Sequence, residues 1–158
     1  MKNISMFFLL IFSQLNLAQF RTDKFFAAPL DSTVKDLKLL FPSAEFKEKE
    51  VSGLREYYFN DMLDSVSFKV GFFFTAEGQM QAKALSNLGT DAKSGEKFRN
   101  LFKNLTIKQY GENFESKLVY GADVFIWHYG FNQLIMLTRK DRQAALTITV
   151  KKELPPQK

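Results

Sequence analysis

Val66-Ser67-Phe68-Lys69-Val70-Gly71-Phe72-Phe73-Phe74 is the stretch that decides the fold. Val66, Phe68, Val70, Phe72 and Phe74 alternate with Ser67, Lys69, Gly71 and Phe73. A period of two places the first set on one face of a strand and the second on the other. Such a strand needs a neighbour on each side and a cover over its apolar face. The flanking sequence supplies the neighbours. Leu54–Phe59 reads as a strand before it, with Asn60, Asp61 and Asp64 marking a turn. Thr75–Gly78 reads as a hairpin turn, and Gln79–Leu85 returns as a polar, outer strand. Ala44–Val51 is charged and fits either an edge strand or a loop.

The cover comes from two amphipathic helices. Leu30–Phe41 carries Leu30, Val34, Leu37 and Phe41 on one stripe, behind the N-cap residues Asp31, Ser32 and Thr33, with Asp36 as capping partner. Pro42 ends it. Asp91–Tyr110 carries Phe98, Leu101, Phe102 and Leu105 at helical spacing, with Gly111 after its last turn. Three further strands follow: Ala122–Tyr129, Gln133–Arg139 and Gln143–Val150. Their connections have hairpin length. Helices segregated from runs of antiparallel strands predict an α+β fold, with two helices on one face of an antiparallel sheet. The pattern of one helix and three strands occurs twice, over about residues 27–86 and 91–150. Residues 19–158 are expected to form one domain, with a frayed tail over 151–158.

Residues 1–18 read as a secretory signal peptide. Lys2 precedes the apolar run Ile4–Phe12, and Ala18 fits the small-residue end, so cleavage is expected after Ala18 or Gln19. The run is too short to span a bilayer, so no transmembrane span is expected after cleavage. The destination is export, to the periplasm or beyond. There is no cysteine. An exported domain without disulfides must be held by packing, and 18 Phe with 46% hydrophobic residues provide the means. The same absence removes thiol catalysis and thiolate metal sites, and one His cannot build a His-rich one. No cofactor or metal is expected.

Charge is unevenly spread. From Gln19 to Asp91, nine basic residues face eleven acidic ones, a net of −2; from Ala92 to Lys158, twelve face six, a net of +6. The basic second half suits an acidic protein or an anionic envelope surface. Nucleic acid is disfavoured by export and by the lack of a recognition motif.

Candidate chemistry is sparse. Ser32-Thr33-Val34-Lys35 and Ser94-Gly95-Glu96-Lys97 both match S-x-x-K, but S-D-N and K-T-G are absent. Asp123 falls on the opposite strand face from His128 and cannot orient it as a base. Asp61 and Asp64 lack the spacing of a calcium loop. The aromatics are more suggestive. Phe125, Trp127 and Tyr129 share one face of a strand, and Val124, Ile126 and His128 the other. With helices over one face, the three rings are candidates for an exposed partner-binding platform.

Ala28-Pro29-Leu30-Asp31-Ser32-Thr33-Val34-Lys35-Asp36-Leu37 is similar to the opening of the SmpA/OmlA outer-membrane assembly proteins, where a short capped helix with an early Val precedes the strands. The element order of the whole domain resembles that of β-lactamase-inhibitor-protein-like domains. The resemblance implies a non-catalytic envelope protein that binds other proteins through a sheet face. A carrier or sensor of a small apolar ligand or lipid is the alternative, and a small hydrolase a second one.

Overall fold

A computed structural model describes residues 22–130 and 133–150 of the chain. The expected signal peptide, residues 1–18, and the expected tail, residues 151–158, lie outside the described residues.

The strand that decides the fold is β3, Val66–Phe74. It sits between β2 (Leu54–Leu63) and β4 (Met80–Asn87), with β1 (Lys47–Val51) at the sheet edge. The second half adds β5 (Glu115–Val119), β6 (Ala122–Tyr129), β7 (Gln133–Lys140) and β8 (Gln143–Val150). All eight strands form one antiparallel sheet in the order β1-β2-β3-β4-β8-β7-β6-β5. The fold is α+β. Two meanders are joined through their last strands, so β1 and β5 form the two edges.

Three helices lie on one face. α1 covers residues 22–27, α2 is Val34–Leu40 and α3 is Ala92–Tyr110. The inward set of β3 explains why. Phe72 meets Phe25 of α1 at 6.1 Å and Phe41, at the end of α2, at 5.7 Å. Phe68 meets Phe102 of α3 edge-on at 5.0 Å. Val66, Phe68, Val70, Phe72 and Phe74 are all buried. Each fully buried phenyl contributes roughly 2–3 kcal/mol from area removed from water.

Local chemistry sets the helix ends. α2 starts at Val34 because Thr33 closes a capping box with Asp36, and residues Pro29–Ser32 form a turn instead of a first helical turn. α3 starts after Asp91, whose carboxylate accepts the Ser94 N–H at 2.7 Å. It ends at Gly111, where φ is 87° and the N–H returns to Ile107 at 2.7 Å. Early in α3, Gly95 lies against the β7–β8 turn. A Cβ there would fall 2.4 Å from the Asp141 carbonyl oxygen and 3.0 Å from Arg142 backbone. Gly95→Ala is therefore expected to lose about 2 kcal/mol of stability in urea unfolding, because backbone and not a movable side chain must give way.

α1 and β5 were not anticipated, α2 starts one turn later than Leu30, and β2 runs on through Asn60 and Asp61 to Leu63. Of the edge strand and the loop left open for Ala44–Val51, the edge strand is the one formed, as β1; with β5 it makes each helix-and-strand run one edge strand longer. β4, expected to be polar and outer, is central between β3 and β8. Its polar character comes partly from Lys83, which points inward and is 2% exposed.

Structure also exposes a residue-level repeat. Phe46, Val51, Gly53, Tyr57 and Phe59 match Phe114, Val119, Gly121, Phe125 and Trp127 at one constant offset. Phe46 packs edge-on to Phe59 at 5.2 Å, and Phe114 packs on Trp127 at 4.9 Å. Both turns have φ of 51° then 77°, at Ser52-Gly53 and at Tyr120-Gly121.

Candidate functional site: the open face of the sheet

Strand register assigns every side chain to a face. Across one row, Tyr57, Phe72, Lys83, Ile148, Ile135 and Trp127 turn toward the helices. One residue along each strand, Tyr58, Gly71, Ala84, Thr147, Met136 and Ile126 turn the other way. Among the described residues no helix lies over that second face. Its centre is built from small side chains: Ala82, Ala84 and Ser86 on β4, and Ala145, Thr147 and Thr149 on β8. Larger ones stand on either side, with Tyr58 and Phe73 toward β1 and Ile126, Leu134 and Met136 toward β5. The result is a shallow apolar trough along the joint between the two meanders. At one end a cleft of about 460 Å³ is lined by Ser86, Thr138, Lys140, Gln143 and Ala145.

The trough carries one buried charge cluster. Glu56 is 1% exposed and lies over Gly71. A Cβ on Gly71 would be 2.6 Å from Glu56 Oε1, so glycine is what admits the carboxylate. Lys69 Nζ pairs with Glu56 Oε1 at 2.5 Å and Lys49 Nζ with Oε2 at 3.2 Å. Both ammonium groups also lie 5.4 Å from the Tyr58 ring centre. Two cations on one buried anion leave this corner positive. Lys47, Lys117 and Lys140 extend the positive rim on the same face, opposed by Glu115.

Phe125, Trp127 and Tyr129 do not form the exposed platform expected of them. They share a face, but it is the helix face. Trp127 is 1% exposed, packs on Phe114, and donates from Nε1 to the Gly111 carbonyl at 2.9 Å. Phe125 is half-buried against Phe114 at 5.3 Å, with Lys103 Nζ 4.3 Å from its ring centre. Tyr129 stacks edge-on with Tyr110 at 4.9 Å and is 50% exposed. Burial, with Tyr129 beside it, pushes the Tyr110 hydroxyl up to about 12. The physical reason is size. The widest rings on β6 fill the space between the sheet and the end of α3, and the smaller Val124 and Ile126 are left to the open face.

The other candidates separate. Ser32 Oγ donates to the Pro29 carbonyl at 2.8 Å. Ser94 Oγ donates to the Asp91 carbonyl at 2.6 Å and accepts from Asn87 Nδ2 at 3.2 Å. Both hydroxyls therefore work at helix starts, although Ser94 and Lys97 do line a cleft of about 180 Å³. Asp123 pairs with Arg99 of α3 at 3.0 Å, whereas His128 lies 3.4 Å from Glu115 on the open face. Asp61 sits in β2 and Asp64 in the following turn. Among the described residues, no three His, Asp or Glu side chains gather as a metal site, and no helix is long and apolar enough to cross a membrane.

Lys83 is the feature that sequence reasoning missed. Its ammonium donates to the carbonyls of Phe25 at 2.6 Å, Phe26 at 3.0 Å and Ala28 at 2.6 Å, the last turn of α1 and the residue after it. Burial pushes the Lys83 ammonium down to about 7. Three carbonyls oppose that push by accepting all three of its protons. The group is a cap for a helix end. One sequence signal pointed to it: a lysine between Ala82 and Ala84 in a strand otherwise fit for burial. Lys24 does a similar job for α2, donating to the Leu40 carbonyl at 2.7 Å.

No family model, curated protein or solved structure matches this chain.

Proposed function

We propose that this protein is an exported, non-enzymatic binding module that takes an acidic protein onto the open face of its sheet. The observation that carries the reading is the asymmetry of that sheet. Three helices cover one face, and the other presents a trough of Ala, Thr and Ser side chains between bulkier apolar flanks. A patch of that kind is what stable partners bury, at about 800 Å² per side. Lysines at the rim supply charge complementarity for an acidic surface, which raises association rate and selects the partner. Export rests on the N-terminal signal pattern, and the resemblance to envelope proteins that bind through a sheet face supports the same class.

The carrier alternative has less support. It needs an enclosed apolar cavity of roughly 300 Å³ or more. Among the described residues, the space between α1, α2 and the sheet is instead packed ring against ring by Phe25, Phe41, Phe46, Phe59 and Phe72.

A photo-crosslinking residue placed at Thr147, in the trough, and separately at Lys108, on the exposed side of α3, tests the reading in the native envelope. Adducts to an acidic protein from position 147 alone are the expected result. Adducts only from position 108, or a co-purifying apolar small molecule with no protein adduct, would overturn it.

A further inference from the structure

The two edges of the sheet are built differently. β1 reads Lys47-Glu48-Lys49-Glu50-Val51. An antiparallel pairing of β1 with its own copy, centred on any of its first four residues, sets a charge opposite the same charge. That edge is protected against self-association. β5 reads Glu115-Ser116-Lys117-Leu118-Val119, and all five residues are exposed, Leu118 at 74%.

Backbone parity decides which registers β5 can offer. Tyr120 and Gly121 both have positive φ, 51° and 77°, the signature of a two-residue type I′ hairpin. In that hairpin Val119 and Ala122, which face each other, share the first ladder bonds. Alternation then turns the N–H and C=O of Val119, Lys117 and Glu115 toward β6. Those of Leu118, Ser116 and Phe114 point away from the sheet. A second strand can therefore bond at Ser116 and Leu118 through both backbone groups, and at Phe114 through its carbonyl, since the Phe114 N–H is donated to the Glu112 carbonyl at 3.0 Å.

Registers centred on Glu115 or Lys117 oppose like charges. The register centred on Ser116 does not. It sets Glu115 opposite Lys117 of the other copy, twice, on the open face. It also sets Leu118 opposite Phe114 of the other copy, twice, on the helix face. Within one chain Glu115 and Lys117 already pair at 2.5 Å. Two such pairs related by a two-fold axis make a ring of alternating sign. The largest exposed aliphatic side chain of the edge gains a half-buried ring to pack on.

We infer that the chain forms a two-fold dimer by antiparallel pairing of β5 with β5 of a second copy, centred on Ser116, so that the two sheets become one. The occupant is a second copy because the strand is complementary to itself in charge, in hydrogen-bonding parity and in apolar contact at one and the same register. The pairing stands apart from the open-face reading and does not depend on it.

Sedimentation over a wide concentration range tests it. The wild-type protein is expected to shift from monomer to dimer with nothing larger. Ser116→Pro removes an N–H that points away from β6, so the ladder inside the chain is kept and the dimer is lost. Lys117→Glu places like charges opposite each other at both sites and is expected to weaken the dimer by roughly tenfold. The exchange Glu115→Lys with Lys117→Glu restores the opposite-sign pairs and the dimer, a result that a folding defect would not give. A monomer at every concentration, a dimer that survives Ser116→Pro, or open-ended polymers from β5 pairing with β1 would each overturn the inference.

Discussion

Replacing Trp127 by alanine is expected to cost about 4 kcal/mol of stability, because it removes the widest side chain of the core. Its indole is 1% exposed and wedged against Phe114 at 4.9 Å and Phe125 at 6.4 Å. Truncation leaves a cavity between β6 and the end of α3, and the Gly111 carbonyl loses its donor. Natural domains of this size hold about 5–15 kcal/mol in reserve, so the variant should populate unfolded chain near physiological temperature. Trp127 is the chain's one tryptophan, so urea unfolding must be followed by circular dichroism. Trp127→Phe is the milder change. It keeps one ring in the site, giving up the hydrogen bond and the second ring of the indole, for an expected loss of about 1–2 kcal/mol. Because the indole faces the helices, the folded Trp127→Phe protein should crosslink through position 147 as the wild type does. Loss of that adduct in a fully folded Trp127→Phe protein would return the ring to the binding surface.

Lys83→Met is expected to lose about 3 kcal/mol, for the opposite chemical reason. Methionine fills a similar volume, so little cavity forms. What disappears is the shared donor to the carbonyls of Phe25, Phe26 and Ala28. Carbonyls at a helix end have no partner within the helix, and buried ones cannot turn to water. The expected response is local before it is global. α1 should detach from β4, seen as fast hydrogen exchange at residues 25–28 under conditions where the amides of β3 stay protected. An unchanged urea midpoint together with unchanged exchange at those residues would show that α1 is held without Lys83, by Phe25 on Phe72, Phe26 on Tyr110 and Lys24 on the Leu40 carbonyl.

These two residues mark where local pattern stops being informative. β3 was legible because its alternation is strong and its two sets differ in polarity. α3 was legible because Phe98, Leu101, Phe102 and Leu105 keep helical period between Asp91 and Gly111, a good cap at each end. β6 has no such contrast. Val124 and Ile126 lie on one face and Phe125 and Trp127 on the other, so a period of two gives the strand but not its inside. β5 left no pattern, since Glu115–Val119 is exposed throughout and alternation needs a buried side to register. Its trace was a relation at long range, the spacing of Phe114, Val119, Gly121, Phe125 and Trp127 repeating that of Phe46, Val51, Gly53, Tyr57 and Phe59. The open face was not legible residue by residue either. Ala82, Ala84, Ala145 and Thr147 look like ordinary strand residues until β4 and β8 are placed side by side.

The sequence by itself determined the class of the fold, most of its strands, α3 with the residues that start and stop it, and the body and end of α2. Those properties depend on neighbours within a few positions, where backbone geometry and side-chain polarity act directly. Tertiary structure decided which face of the sheet the helices cover, the joining of the two meanders through β4 and β8, the attachment of α1 to Lys83, and the exposure of β5 at an edge. Each of these depends on surfaces brought together from distant parts of the chain. The choice follows the largest total burial of rings such as Phe72, Phe102 and Trp127, and no single segment carries that sum.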